Sequence, residues 1–138
     1  MKIVVLSIWQ PWASLIAAGI KTIETRTEAP PEELIGQRIA IHASNTASKD
    51  HVFRWVHKQY PEAMEQILAG KDYNALPRSC VLATAVLKEA RKTDWRDWPL
   101  TMSPVEDFWG WILEDIQILE TPIALDREAG LSDADIDL

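Results

Sequence analysis

Five short strand-like runs, none longer than seven residues, are spaced along this chain with helix or loop signals between them. Residues 3–9 (Ile-Val-Val-Leu-Ser-Ile-Trp) are β-branched and brief, which predicts a strand. Pro11 then opens a helix at its first position, where a missing amide proton costs nothing. Trp12, Leu15 and Ile16 form its apolar stripe, and Gly19 falls where a left-handed C-terminal cap belongs. Residues 21–26 follow as a short extended piece, and 27–36, with Pro30 and Pro31, as a loop. Residues 38–42 alternate polar and apolar, the pattern of a half-buried strand. Ser48 caps a predicted helix reaching Tyr60, with Val52, Phe53 and Val56 inward, and Pro61 opens another that stops at Gly70. Residues 81–87 form an apolar strand with an exposed continuation over 88–92. Residues 93–107 are polar and irregular, punctuated by Trp95, Trp98, Pro99 and Pro104. Two further strands, 109–113 and 116–119, meet near Glu114 and Asp115. The expected fold class is α+β: a small β-barrel of about five or six strands with helices inserted between them, not a doubly wound sheet.

A chain of 138 residues suggests one domain, here 1–125, followed by an acidic tail over 126–138 that is expected to fray in part. Cys80 is the only cysteine, which excludes an internal disulfide and a paired-cysteine redox motif and fits a reducing, cytoplasmic setting. Lys2 and the apolar residues after it loosely mimic a secretion signal, but Ser7, Gln10 and Pro11 break the run too early. No apolar stretch reaches the 18 residues of a membrane span, so no membrane partner is expected. The formal charge is −7, with 21 acidic against 14 basic residues. That balance argues against unselective binding to polyanions. The charge is uneven, however: seven basic residues face five acidic ones through Lys58, and the acidity lies beyond it. A mildly basic first half can still receive a small or locally gripped anionic ligand.

The block from Leu6 to Ile16, containing Trp9-Gln10-Pro11-Trp12, is followed by Gly19, Lys21, Glu24 and Arg26 in a G-x-K-x-x-E/T-x-R arrangement. Together these resemble the ASCH domain family of the PUA-like superfamily. The run Arg38-Ile39-Ala40-Ile41-His42-Ala43-Ser44 is similar to the family's next strand. Residues 81–85 and 109–114 are similar to its later strands, so the likeness covers most of 3–123. The resemblance implies a PUA-like barrel associated with RNA. Some ASCH-like proteins are amidohydrolases that remove an acyl group from a modified cytidine, with the signature lysine as base to a threonine nucleophile. Glu24 stands at that threonine position here, flanked by Thr22 and Thr25. Ribonuclease activity in other members is a second catalytic expectation for the same cluster.

The residues themselves support a candidate catalytic cluster of Lys21, Glu24 and Arg26. Two cationic donors and one carboxylate lie within six residues. In a regular strand Lys21 would face away from the other two, so a turn just after Gly19 is needed to gather them. Glu24 can then activate water while Lys21 or Arg26 stabilises an oxyanion. The competing reading is a solvated ion-pair group of little energetic worth.

Candidate substrate-binding residues surround this cluster. Trp9 offers a base-stacking face or a core contact, Gln10 a reader of a base edge, and Trp12 chiefly core packing. Thr22 adjoins the signature. His42 and Ser44 share one strand face and are expected at the barrel mouth, touching ligand rather than acting as a nucleophile pair. Trp95 and Trp98 are expected to be partly exposed, and Trp109 and Trp111 to fill the core. His51 and His57 stand six apart on a helix, a spacing that does not make a metal pair, and no metal or cofactor motif is present. The expected function is binding of a nucleoside or RNA, with hydrolysis of an N4-acylated cytidine or of RNA as its catalytic extension. A non-catalytic RNA-binding module is the competing expectation, and an adaptor that docks a protein through its tryptophans is the third.

Overall fold

The computed structural model describes residues 1–46, 48–103 and 106–138. Pro104, expected to punctuate a loop, lies outside them. The strands are β1 (Lys2–Ile8), β2 (Ile23–Arg26), β3 (Arg38–Ala43), β4 (Cys80–Lys92), β5 (Trp109–Ala124) and β6 (Gly130–Asp135). The helices are α1 (Trp12–Ala17), α2 (Asp50–Gln59), α3 (Pro61–Leu68) and the single turn α4 (Trp98–Thr101). All six strands join one mixed sheet in the order β2-β5-β4-β3-β1-β6. Among the described residues only the β1–β3 pair is parallel, and its connection runs through α1, β2 and a loop. The sheet does not close into a barrel: among the described residues no ladder joins its edge strands β2 and β6. The α+β class, the strand count and the inserted helices are as expected.

Two layers of apolar packing hold the sheet. Leu6, Ile8, Ile39, Ile41, Leu87 and Trp111 lie on one face, against Ala13, Ile16 and Ala17 of α1. Ile3, Val5, Ala40 and Val81 lie on the other, with Ala134 and Ile136. A satellite core joins Leu15 of α1 to Phe53, Val56, Met64 and Leu68 of α2 and α3.

Three local expectations change. Pro11 follows a cis peptide and sits one residue before α1 rather than at its first position. The Gln10 side chain reaches into that first turn instead, its Oε1 accepting from the Ser14 amide at 3.0 Å. Helix α2 begins at Asp50 behind Lys49, and the Ser48 hydroxyl caps nothing among the described residues; the acidic Asp50 sits in the first turn, where it complements the helix dipole. The two strands predicted over 109–119 are one strand, β5, in which Asp115 takes a left-handed φ of 48° and the β4 register shifts. Such an irregularity bends a strand without ending it, so polar residues at the bend read falsely as a turn.

The segment beyond Asp126 is also not simply frayed. Residues Gly130–Asp135 pair antiparallel with β1. Ala134 and Ile136 face the core while Asp133 and Asp135 face solvent. The acidic residues concealed an ordinary two-residue alternation.

Gly110 in β5 is a fixed requirement of this packing. A Cβ there would stand 2.6 Å from Thr93 Cγ2 and 3.0 Å from Ile23 Cγ2, both branched side chains with little room to yield. Gly110→Ala is expected to cost about 1–3 kcal/mol, read as a lowered denaturation midpoint with the same cooperativity.

Candidate functional site

The site is built where β1 ends. The chain leaves Ile8, exposes Trp9, and enters α1 through Gln10 and Pro11. Gly19, at φ 76°, then turns the backbone so that the Ile20 and Lys21 amides both donate to the Leu15 carbonyl, at 3.0 and 3.1 Å. This is the turn that the signature requires. Lys21 therefore precedes β2 instead of lying in it, and its side chain runs inward to 1% exposure. Its Nζ donates to the carbonyls of Ile23 at 2.7 Å and Thr101 at 2.5 Å, and lies 3.5 Å from Glu24 Oε1. Three acceptors around one buried nitrogen match the three protons of an ammonium. Burial pushes the Lys21 amine below its ordinary value, opposed by the Glu24 charge and its hydrogen bond.

Glu24 lies in β2 opposite Trp111 of β5. It is nearly buried, and its Oε1 also accepts from the Thr25 amide at 3.2 Å. Two residues on, the Arg26 guanidinium lies over the Trp111 ring at 5.2 Å, while the Trp111 indole donates to the Glu28 carbonyl. Strand geometry places Glu24 and Arg26 on the same side, and both face one cleft.

That cleft has a volume of about 270 Å³ and is bounded by Trp9, Trp12, Glu24, Thr25, Arg26 and Ala129, with Ser7 and Ile8 of β1. Trp9 is 50% exposed. Trp12 is half-buried, packs against two of the cores and donates from its indole to the Met102 carbonyl at 3.4 Å. The structure thus brings together Trp9, Trp12, Glu24 and Arg26, with Lys21 beneath them. A larger groove of about 390 Å³ separates α1 and α3 from β5, but apolar side chains such as Ala17, Ile67 and Leu119 dominate it. Its one carboxylate, Glu120, has no cationic side chain beside it in the groove lining, whereas Glu24 and Arg26 of the signature share the smaller cleft.

Other predicted residues stand apart. Gln10 is buried behind α1, its Nε2 donating to Ser14 Oγ at 2.7 Å and to the Pro77 carbonyl at 2.8 Å, and it faces away from the cleft. The Thr22 amide donates to the Leu100 carbonyl, and its side chain is not part of the cleft wall. Ser44 is buried at the end of β3, its amide bound to the Ile8 carbonyl and its hydroxyl to the Thr46 amide. His42 is fully buried, with Nε2 donating to the Leu125 carbonyl at 2.5 Å. Among the tryptophans outside the signature, Trp95 is 65% exposed and Trp111 is buried, while Trp98 and Trp109 are half-buried. Sequence reasoning missed the Thr101 carbonyl, because a backbone acceptor leaves no trace in residue identity. It also missed Ser7 and Ala129, whose place at the cleft follows only from strand pairing. Among the described residues no three His, Cys, Asp or Glu side chains converge as a metal site, and no helix is long and apolar enough to cross a membrane.

Burial lowers the His42 pKa from its ordinary value; the Leu125 carbonyl and Asp126 oppose the shift and Arg127 reinforces it. The unfolded chain therefore takes up this proton first, and stability falls as pH drops below about 6.5. The expected observation is a denaturation midpoint that declines between pH 7.5 and 5.5. The decline should be shallower in His42→Gln, which carries no titrating ring.

An ASCH domain family model matches residues 6–122. The crystal structure of ASCH from Zymomonas mobilis superposes with a TM-score of 0.56 at 21% identity, covering 88% of this chain and 73% of that one. A serine-to-alanine variant of the same organism's protein gives 0.53, with the same identity and coverage. A tyrosine-to-phenylalanine variant gives 0.50 at 20% identity, covering 88% and 75% of the two chains. No curated protein sequence matches the chain. The family model spans the end of β1, the signature turn and every cleft residue except Ala129, and the chain belongs to the ASCH domain family.

Proposed function

We propose that the cleft binds a nucleoside, either free or as one unstacked base of an RNA. One observation carries this reading: a half-exposed Trp9, the Glu24 carboxylate and the Arg26 guanidinium converge on a single cleft of about 270 Å³. The volume falls slightly below the range typical of drug-sized ligand sites, which favours one base over a strand. Trp9 supplies a stacking face, Glu24 accepts from an exocyclic amine, and Arg26 answers a phosphate or a carbonyl. A non-catalytic reader of RNA and a protein-docking adaptor are both distinguished from an enzyme by the experiment below.

A hydrolytic reading draws on a second observation. Glu24 is the carboxylate that reaches the cleft, and it is held by the buried Lys21 ammonium at 3.5 Å. Lys21 is enclosed by its own acceptors, so it acts by placing Glu24. In this reading Glu24 takes a proton from water, the hydroxide adds to an acyl carbonyl beside Arg26, and the C–N bond breaks as Glu24 returns that proton to the leaving amine, which frees the carboxylic acid. The threonine hydroxyl used by some family members is replaced by Glu24, so the attacking oxygen comes from water.

The test is incubation with an N4-acylated cytidine and, separately, with a short RNA, while both binding and product are followed. Trp9→Ala is expected to weaken binding by about 5- to 150-fold, the worth of one base stacked on an aromatic ring. If turnover is seen, Glu24→Gln is expected to lower kcat by about 10² to 10⁴. Binding without turnover identifies a reader. Absence of both, across several nucleosides and RNAs, overturns the proposal and favours the adaptor.

Lys21→Met separates placement from charge. It removes the ammonium that holds Glu24, and turnover is expected to fall with it while Trp9-dependent binding persists. Circular dichroism checks that the fold is retained.

A further inference from the structure

We infer that His42 is a positioning residue that holds the 125–129 strap as one wall of the ligand cleft, an inference that rests on the nucleoside-binding reading above. The strap joins β5 to β6 and passes the ends of β1 and β3. Its first residue is fixed at both backbone polar groups: the Leu125 amide donates to the Ser79 carbonyl at 3.0 Å, and the Leu125 carbonyl accepts from His42 Nε2 at 2.5 Å. Its middle is fixed by Asn45, whose amide donates to the Arg127 carbonyl and whose Nδ2 donates to Asp126 Oδ1, both at 3.0 Å. Its last residue, Ala129, stands at the cleft beside Trp9 and Arg26. The strap therefore runs from the buried His42 contact directly to the cleft edge.

The surroundings of His42 point to a task beyond core packing. A side chain with no polar atoms would fill this fully buried position at lower cost, because His42 Nδ1 has no partner among the described residues. Its register neighbour on β1, Ser7, also has a buried hydroxyl without a partner among the described residues, and Ser7 borders the cleft. Unpaired polar atoms in a native interior call for an explanation. Here a buried ring is retained at β3 because its far nitrogen reaches a carbonyl on the strap. An aliphatic side chain could fill the space but could not donate to Leu125. With the donor removed, the Leu125 carbonyl is left unpaired and the strap keeps the Ser79–Leu125 bond, the Asn45 contacts and the β6 ladder, without its anchor to β3 at His42.

The full chain tests this with three variants. His42→Phe keeps ring volume and removes the donor. His42→Gln places an amide nitrogen near the position of Nε2. Asn45→Ala loosens the strap at a half-buried position outside the core, and so serves if His42→Phe does not fold. Two quantities are measured: the rate of tryptic cleavage after Arg127 under native conditions, and the dissociation constant for cytidine or a short RNA.

His42→Phe is expected to accelerate cleavage at Arg127 selectively and to weaken ligand binding by roughly fivefold, the worth of one hydrogen bond. His42→Gln is expected to restore both, which a purely volumetric role would not do. Asn45→Ala is expected to behave as His42→Phe does. Cleavage unchanged in His42→Phe and Asn45→Ala overturns the strap assignment. Faster cleavage with unchanged affinity shows that the strap is no part of the cleft, and also overturns it. If the wild-type chain binds neither ligand, the nucleoside reading fails, and the hold of His42 on the strap is then decided by the cleavage rates alone.

Discussion

A lysine ammonium with 1% exposure is the constraint around which the site is arranged. An isolated charge in an apolar interior is strongly unfavourable, so the chain must bring acceptors to it. It brings three, and they come from two distant segments: Ile23 and Glu24 in β2, and Thr101 at the end of α4. The irregular stretch after β4 is thereby fastened to the signature. Thr22 and Leu100 add a backbone bond between the same two segments, and Trp12 contacts the Met102 carbonyl from α1. One buried cation thus draws helix, strand and loop together and sets the carboxylate at the cleft wall.

Charge around the cleft follows from this arrangement. Lys21 compensates Glu24 from below, and Arg26 adds a further positive group beside it. The local balance is positive although the chain as a whole is acidic. Net charge describes approach and solubility, whereas the groups at the cleft decide what is held once it arrives. The protein's acidity and an anionic or carbonyl-bearing guest are therefore compatible.

The strands are legible in the sequence where periodicity is clean. Residues 3–9 and 38–42 carry β-branched or alternating patterns, and both match strands to within a residue or two. The signature turn is also legible, because only glycine readily accepts the φ of 76° that redirects the chain before Lys21. What escapes the sequence is non-local. Glu114 and Asp115 look like a turn, yet β5 continues through them because β4 supplies a partner on either side of the irregularity. Residues 130–135 look like a solvated tail until β1 is placed beside them. Gln10 looks like a base reader because it sits between two tryptophans. Its amide is instead occupied at Ser14 and Pro77, a commitment set by the start of α1 and by a residue 67 positions away.

The β1–β6 pairing also determines when a cleft can exist. Its walls come from residues 7–9, 12, 24–26 and 129, and the last of these is held by a strand that pairs with the first. A fragment ending before residue 130 would contain the entire G-x-K-x-x-E/T-x-R signature and still lack an enclosed site. Contacts spanning nearly the whole chain form slowly, because the intervening loop must first be closed. The signature is therefore a local mark of membership, whereas the capacity to hold a ligand emerges only with the completed sheet.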